Sequence, residues 1–368
     1  MNILILNWRD IKNPSGGGAE ILTHELAKGW VKSGYQVTQF SSLFKGAAKK
    51  ETIDEVEFMR SGRWWNVHFF AFIYYLQNRG KIDILIDEVH WFPFFSALYA
   101  RKKTVALTCE VANKLFFTLF PYPLALLFRG LEKIYLYIYK NIPTMAISES
   151  TKNDLLKEGV NSKSVTVIHM GLSIPKGIKR YPKEKNPTFI YLARLNKQKG
   201  IFDAIDAFAE IRNQKTGIKN PQFWIVGLGE ENTVKEVKEL VKKYELEKNV
   251  TFFGFVNDVK KYELLARAHI LLILSVHEGW GLTAVEAALQ GTPVVGYDIP
   301  GLRNSVNNGE TGILTSSTPK ELAKNAMSLL DNKILYDKMC RQASLWAKKF
   351  RWEHAIIDSV AILKTVKK

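Results

Sequence analysis

Two doubly wound α/β domains in tandem are what the 368-residue sequence predicts. Short apolar runs alternate with longer helical patterns along nearly the whole chain. Each run is continuous in apolar character, as in strands buried on both faces of a parallel sheet. The alternation is interrupted once, at Ser173 to Pro187, which holds three prolines and five lysines or arginines and reads as a linker.

In the first half the expected strands are 3–8, 36–41, 82–87, 104–108, 144–147 and 165–169. The helical stretches between them are 19–32, 64–77, 124–139 and 149–157. After the linker, strands are expected at 188–193, 222–226, 250–253, 270–274 and 293–296, with helices at 201–212, 233–244, 259–267 and 282–290. The last ~50 residues read as helical throughout. A cleft between two such domains, beyond the carboxyl ends of the strands, is where a ligand is expected.

Composition narrows the class. Apolar residues make up 46% and charged residues 24%, which fits a folded globular chain and no disordered or fibrous one. Cys109 and Cys340 are too few for a disulfide framework or a cysteine-based zinc site, and a reducing cytoplasm is expected. The apolar run at Ile3–Leu6 is too short for a signal peptide. A spanning helix needs ~20 apolar residues. The longest candidate, Leu115 to Phe128, is interrupted by Pro121 and Pro123, so no membrane span is expected. The formal charge of +16 favours polyanionic partners: nucleic acid, anionic lipid or phosphorylated substrates.

The sharpest chemical signal is Glu278-Gly-Trp-Gly-Leu-Thr-Ala-Val-Glu286, between an apolar strand and a helix beginning near Gly281. The amides of Gly281, Leu282 and Thr283 would point out of that helix start, where hydrogen bonding and the helix dipole both favour phosphate. Glu286 falls about one and a half turns into the helix, and Glu278 lies in the loop before it. A second signal, Tyr191-Leu-Ala-Arg194-Leu-Asn-Lys-Gln-Lys199-Gly200, places two cations at a strand exit, where they can clamp a diphosphate. A third is Pro14-Ser-Gly16-Gly17-Gly18-Ala-Glu20, after the first strand, whose spacing is wrong for a dinucleotide fingerprint. A fourth is Asp87-Glu-Val-His90-Trp-Phe-Pro-Phe-Phe with Leu107-Thr-Cys109-Glu110. A fifth, Ser148-Glu-Ser150-Thr151, offers a helix cap.

These segments together resemble family 4 of the glycosyltransferases, also called group 1. The paired glutamates, Gln290-Gly-Thr-Pro-Val-Val-Gly, Pro300-Gly-Leu and Asn308-Gly-Glu-Thr-Gly-Ile all match its pattern. The resemblance implies a GT-B fold, two Rossmann-like domains facing across a cleft. It implies an acceptor-side domain at 1–175, a nucleotide-sugar domain at 176–345 and a C-terminal helix at 346–368 returning to the first domain. By resemblance Glu278 contacts the donor sugar and Glu286 the ribose, with Arg194, Lys199, Gly281, Leu282 and Thr283 on the phosphates. Val256 lies beside the base, and Gly17 and Gly18 face the donor. Cys109 stands where many relatives have histidine, which leaves His90, Cys109 and Glu110 as acceptor-side candidates.

No Asp-x-Asp occurs in the sequence, so no metal or cofactor is expected, and the resemblance implies metal-independent transfer with retention of configuration. The partners expected are a UDP- or GDP-sugar, a glycan or lipid-linked acceptor and an anionic membrane surface, with no nucleic acid. The aromatics Trp64, Trp65, Phe69, Phe70, Phe72, Tyr74, Tyr75, Trp91, Phe92, Phe94 and Phe95, with Arg60, Arg63, Arg101, Lys102 and Lys103 near them, have two readings: rings packed in the core, or an amphipathic surface for a peripheral site on the inner membrane face. Two rivals make different predictions. A nucleotide-sugar epimerase of the same fold would need no acceptor. A basic nucleic-acid-binding module would leave Glu278 and Glu286 unexplained.

Overall fold

The computed structural model describes residues 1–175, 177–179, 181–213 and 219–366. Lys176 and Arg180 of the expected linker, and residues 367 and 368 of the expected terminal helix, lie outside the described residues. The chain forms two units, one of Met1–Gly171 with the segment from Arg351, the other of Leu172–Phe350.

The first unit contains β1 (Asn2–Leu6), α1 (Gly18–Lys32), β2 (Gln36–Ser41), β3 (Lys50–Ile53), β4 (Val56–Arg60), α2 (Val67–Asn78) and β5 (Ile84–Val89). It continues with α3 (Ser96–Tyr99), β6 (Thr104–Thr108), α4 (Leu115–Leu119), α5 (Tyr122–Tyr139), β7 (Thr144–Ala146), α6 (Glu149–Lys157) and β8 (Val165–Val167). The sheet order is β3-β4-β2-β1-β5-β6-β7-β8, parallel except for the β3–β4 pair. Its order reverses between β1 and β5, the position where an open α/β sheet leaves a crevice at its carboxyl edge.

The β3–β4 hairpin escapes sequence reading for a definable reason. Its turn residues Asp54 and Glu55 both adopt positive φ, 49° and 64°. Glycine or asparagine normally announces such a turn, and neither is present. Strand β5 also runs two residues past its expected end, because β6 pairs with it as far as Val89 opposite Thr108. Asp87 and Glu88 therefore belong to the strand and face opposite sides of the sheet. Pro121 caps α5 and Pro123 lies in its first turn, where proline opens a helix rather than breaking it.

The second unit comprises β9 (Thr188–Leu192), α7 (Ile201–Asn213), β10 (Gln222–Val226), α8 (Glu231–Lys243), β11 (Val250–Gly254), α9 (Asp258–Arg267) and β12 (Ile270–Ile273). There follow α10 (Leu282–Leu289), β13 (Val294–Tyr297), α11 (Leu302–Ser305), β14 (Gly312–Thr315), α12 (Pro319–Asp331) and α13 (Lys333–Ala347). The six strands are all parallel, in the order β11-β10-β9-β12-β13-β14. The reversal here lies between β9 and β12. Residues from Phe189 to Met339 fill one core, with the Phe208 and Phe223 rings stacked 5.0 Å apart.

The last helix, α14 (Trp352–Val366), packs in the first unit against α1. Trp30 Nε1 donates to Ser359 Oγ at 2.8 Å. A Cβ on Gly29 would come within 2.3 Å of Ile356, so the small residue permits this crossing. Residues 346–350 remain with the second unit: Trp346 Nε1 donates to the Ser305 carbonyl at 3.0 Å, and the Phe350 ring packs edge-on against Trp280.

Candidate functional site

In the second unit the loops leaving β9 and β12 meet beyond the strand ends, at the reversal of strand order. Val276 N donates to the Gln198 carbonyl at 3.0 Å, joining the loops through their backbones. Gly200 makes the approach feasible: its φ is +72°, and a Cβ there would lie 2.1 Å from the Leu274 carbonyl oxygen. Asn196 Oδ1 accepts from Lys199 N at 2.8 Å and shapes the turn that carries Lys199.

This geometry brings two predicted residues together. Lys199 Nζ lies 2.7 Å from Glu278 Oε1, which also accepts from Ser275 Oγ at 2.7 Å. Arg194 lies two residues past the end of β9, is exposed, and holds no ion pair among the described residues; its carbonyl accepts from the buried Tyr191 hydroxyl at 2.9 Å. Burial raises the Tyr191 hydroxyl above the usual tyrosine range, and the Glu278 charge adds to the effect.

Helix α10 starts at Gly281, which caps it with φ +85° and ψ 52°. A Cβ at that position would come within 2.7 Å of Leu302 and 2.8 Å of Ser305 Oγ. The first turn of α10 carries no acidic side chain, so the amides of Leu282 and Thr283 open the helix without a carboxylate over them. Glu286, the fifth residue, is buried, and Lys261 Nζ lies 2.7 Å from its Oε1 and 2.9 Å from Asp258 Oδ1. Burial raises the Glu286 carboxyl above its usual range, with Lys261 working against the rise. Burial likewise opposes the Lys261 charge, but Glu286 and Asp258 outweigh it and hold that ammonium above its ordinary value. Val256 is half-buried against the core, one residue before the Asn257 cap of α9. Lys261 is absent from the sequence expectations, since one lysine in a basic helix carries no signal of its own.

The first-unit residues form their own cluster at the other sheet's carboxyl edge. Gly17 caps α1 and Gly18 is its first residue, but the Gly17 amide already donates to Glu20 Oε2 at 2.6 Å. Arg9 Nε donates to Glu20 Oε1 at 2.7 Å and Arg9 Nη1 to the Ser15 carbonyl at 2.9 Å. Sequence reasoning also passed over Glu88. It is wholly buried and accepts from Asn7 Nδ2 and from Thr23 Oγ1, the latter at 2.5 Å. Burial, then the nearby Glu20, pushes its carboxyl well above the usual range. Cys109 Sγ sits 4.0 Å from Glu88 Oε1, and burial raises that thiol as well. Glu110 Oε1 accepts from Trp91 Nε1 at 2.9 Å. The His90 ring stacks on Trp91, with centroids 6.3 Å apart. Ser148 Oγ accepts from Thr151 N at 3.1 Å and caps α6.

The expected aromatic surface separates into two groups. Trp64, Trp65, Phe69, Phe72 and Phe95 are exposed, whereas Tyr75 and Phe94 are core residues and Phe70, Tyr74, Trp91 and Phe92 are half-buried. No helix among the described residues is long and apolar enough to cross a membrane. Among the same residues, no group of three His, Cys, Asp or Glu is arranged to hold a metal.

Known proteins are similar to this chain in sequence and in fold. Residues 16–174 match glycosyltransferase family 4, and residues 174–346 match the glycosyl transferases group 1. A glycogen synthase of Mycobacterium tuberculosis is 27% identical over 222 residues, 58% of this chain and 52% of that protein. An N-acetyl-alpha-D-glucosaminyl L-malate synthase of Bacillus anthracis is 30% identical over 161 residues, 44% of this chain and 40% of that protein. The chain thus spans about half the length of the curated relatives it matches. A sucrose-phosphate synthase from Thermosynechococcus elongatus superposes with a TM-score of 0.81 at 18% identity, covering 99% of this chain and 98% of that one. Anabaena HepE, solved in complex with UDP-glucose, gives 0.75 at 19% identity over 99% and 100%. At such identities the likeness establishes the fold, GT-B, with two parallel-sheet α/β domains.

Proposed function

We propose that this chain, which belongs to the group 1 glycosyltransferases of family 4, transfers a sugar from a UDP- or GDP-sugar to a glycan or lipid-linked acceptor. The observation that carries this reading is the Lys199–Glu278 pair at the strand-order reversal of the second unit, beside the carboxylate-free start of α10. An ammonium, an exposed guanidinium at Arg194 and two helix-start amides suit a diphosphate, and a carboxylate held between Lys199 and Ser275 suits sugar hydroxyls. That one structural neighbour was solved with UDP-glucose supports a nucleotide-sugar donor.

In this reading Arg194, Lys199 and the amides of Leu282 and Thr283 take up the negative charge that grows on the diphosphate as its bond to the anomeric carbon breaks. The acceptor oxygen bonds to that carbon from the face the diphosphate leaves, so configuration is retained. The acceptor's proton passes to the departing phosphate oxygen. Glu278 orients the sugar, and Glu286 receives the ribose hydroxyls once Lys261 has fixed its position. Phosphate charge is met by protein groups alone, so no metal is required. The two free thiols fit a reducing cytoplasm, and the partner surface is the inner face of an anionic membrane.

Calorimetry with UDP and GDP on wild type and Arg194→Ala tests the donor site. One nucleotide should bind clearly and bind more weakly to the variant; binding of neither would withdraw the site. Turnover should survive EDTA, and restoration of lost turnover by Mg²⁺ or Mn²⁺ would overturn the metal-free route. Release of an altered nucleotide sugar without acceptor would mark an epimerase instead.

A further inference from the structure

We propose that α5 lies flat in the surface of an anionic bilayer, with the Trp64–Phe69 corner, beyond α3 at the start of α2 on the same sheet face, as a second anchor. A helix on a protein surface normally turns its apolar stripe to the core and a charged face to water. Helix α5 does not. Its inner face buries Ala125, Tyr135, Leu136 and Tyr139, and its outer face is apolar as well. Leu127 is 56% exposed, Ile134 59% and Tyr137 67%. The single acid in the helix, Glu132, is wholly buried and accepts from the amides of Ala112 and Asn113 at 2.8 and 2.9 Å. Arg129 is bound to Glu132 and Glu158, which leaves Lys133 as the exposed charge of the helix.

The apolar surface continues beyond α5. Strands β4, β5, β6 and β7 advance in one direction past β2 and β1, so right-handed crossovers put α2, α3 and α5 on one face of the sheet. The Phe72 ring of α2 meets Tyr99 of α3 at 4.9 Å, and Arg101 Nη1 reaches the Ile138 carbonyl of α5 at 3.5 Å. At the far end Trp64 is 70% exposed, Trp65 63% and Phe69 61%. Tryptophan and tyrosine with lysine and arginine at the margin are the composition of a membrane interface.

Charge decides between a bilayer and a second copy of this chain. Two copies, each with a formal charge of +16, repel, whereas an anionic surface attracts exposed Arg63, Arg101, Lys102 and Lys133. This inference rests on the proposed membrane-side acceptor and supplies the element that would hold the chain there.

Co-sedimentation at low salt tests it, using vesicles of phosphatidylcholine alone and of phosphatidylcholine with phosphatidylglycerol. The wild type should pellet with the anionic vesicles only. Leu127→Glu/Ile134→Glu should reduce the bound fraction by about tenfold, with thermal melting and UDP or GDP binding unchanged. Equal pelleting of variant and wild type would overturn the proposal. So would a wild type that stays in the supernatant, or one that forms a dimer which the same two changes dissociate. If the double variant does not fold, tryptophan emission decides. Anionic vesicles should shift the wild-type emission to the blue and shift Trp64→Phe/Trp65→Phe much less, and an unshifted wild type overturns the proposal. Vesicle binding without nucleotide binding would remove the donor site and leave the membrane helix standing.

Discussion

The two units build the same device, a strand, a glycine loop and a helix start, and use it in opposite ways. At the start of α1 the Glu20 carboxylate covers the helix end, taking the Gly17 amide and the buried Arg9. At the start of α10 no acid stands in the first turn, and Glu278, three residues before Gly281, is turned to Lys199 on the neighbouring loop. The first arrangement pairs its charges with one another, Glu20 with Arg9 and with the Gly17 amide. The second leaves amides and an exposed guanidinium available to an anionic ligand. One topology therefore yields a helix start covered by a carboxylate or one left uncovered, according to where a single glutamate stands.

The contrast is broken most directly at Glu278. Glu278→Gln should lower turnover with a nucleotide-sugar donor by ~10²–10³-fold, with a melting temperature close to wild type. A large loss of stability with little loss of rate would assign this carboxylate to the scaffold instead. The mirror-image change is Glu20→Ala, which leaves buried Arg9 without its partner. Urea denaturation should report a loss of about 3 kcal/mol. A loss below about 1 kcal/mol would place the α1 corner among weak surface pairs.

The two ends of β12 sharpen the same distinction. Its carboxyl end feeds Glu278, while His269 at its amino end accepts from Thr188 N at 3.0 Å. Burial, with Lys183 adding to it, lowers this imidazole from 6.5 to about 4. Above pH 6.5 the ring is neutral folded and unfolded, and its contribution is fully present. As pH falls from 6.5 towards 4 the unfolded chain takes up a proton that the folded chain refuses, and stability is lost, by about 3 kcal/mol at most. His269→Asn keeps an acceptor without the titration and should flatten that part of the stability–pH curve; an unchanged slope would exonerate His269.

The smallest effect is expected at Lys261. Lys261→Met should weaken UDP or GDP binding by about tenfold, and further as pH falls, because buried Glu286 then lacks the charge that opposes its protonation. Titration calorimetry at two pH values measures this, and identical affinities for variant and wild type would show that Glu286 needs no help.

Much of the architecture was legible because buried parallel strands must be apolar throughout. Runs such as Ile270–Leu274 need no context to be recognised, and Ser148 or Asn257 marks a helix start by its own chemistry. Strands β3, β4 and β14 were not legible: the hairpin turns on Asp54 and Glu55 without glycine, and β14 begins on Gly312 with only Ile313 and Leu314 apolar and both half-buried. Of the candidate site, Arg194, Lys199, Glu278 and Glu286 could be singled out from the segments that follow apolar strands, and the roles expected of the two glutamates only from the family resemblance. Glu88 and Lys261 could not, since each gains its significance from partners distant in sequence, Asn7 and Thr23 for one, Glu286 for the other.

By itself, then, the sequence determined most of the strands and long helices and which loops carry charge, because periodicity and capping act within a few residues of each other. Tertiary structure alone decided which charges are already paired and which apolar residues face out. Glu20 and Glu278 are equivalent as loop glutamates until Arg9 and Lys199 are placed beside them. The two faces of α5 are equally apolar until the sheet covers one of them. Pairing and burial depend on distances between residues that the chain order leaves unspecified, and packing supplies those distances.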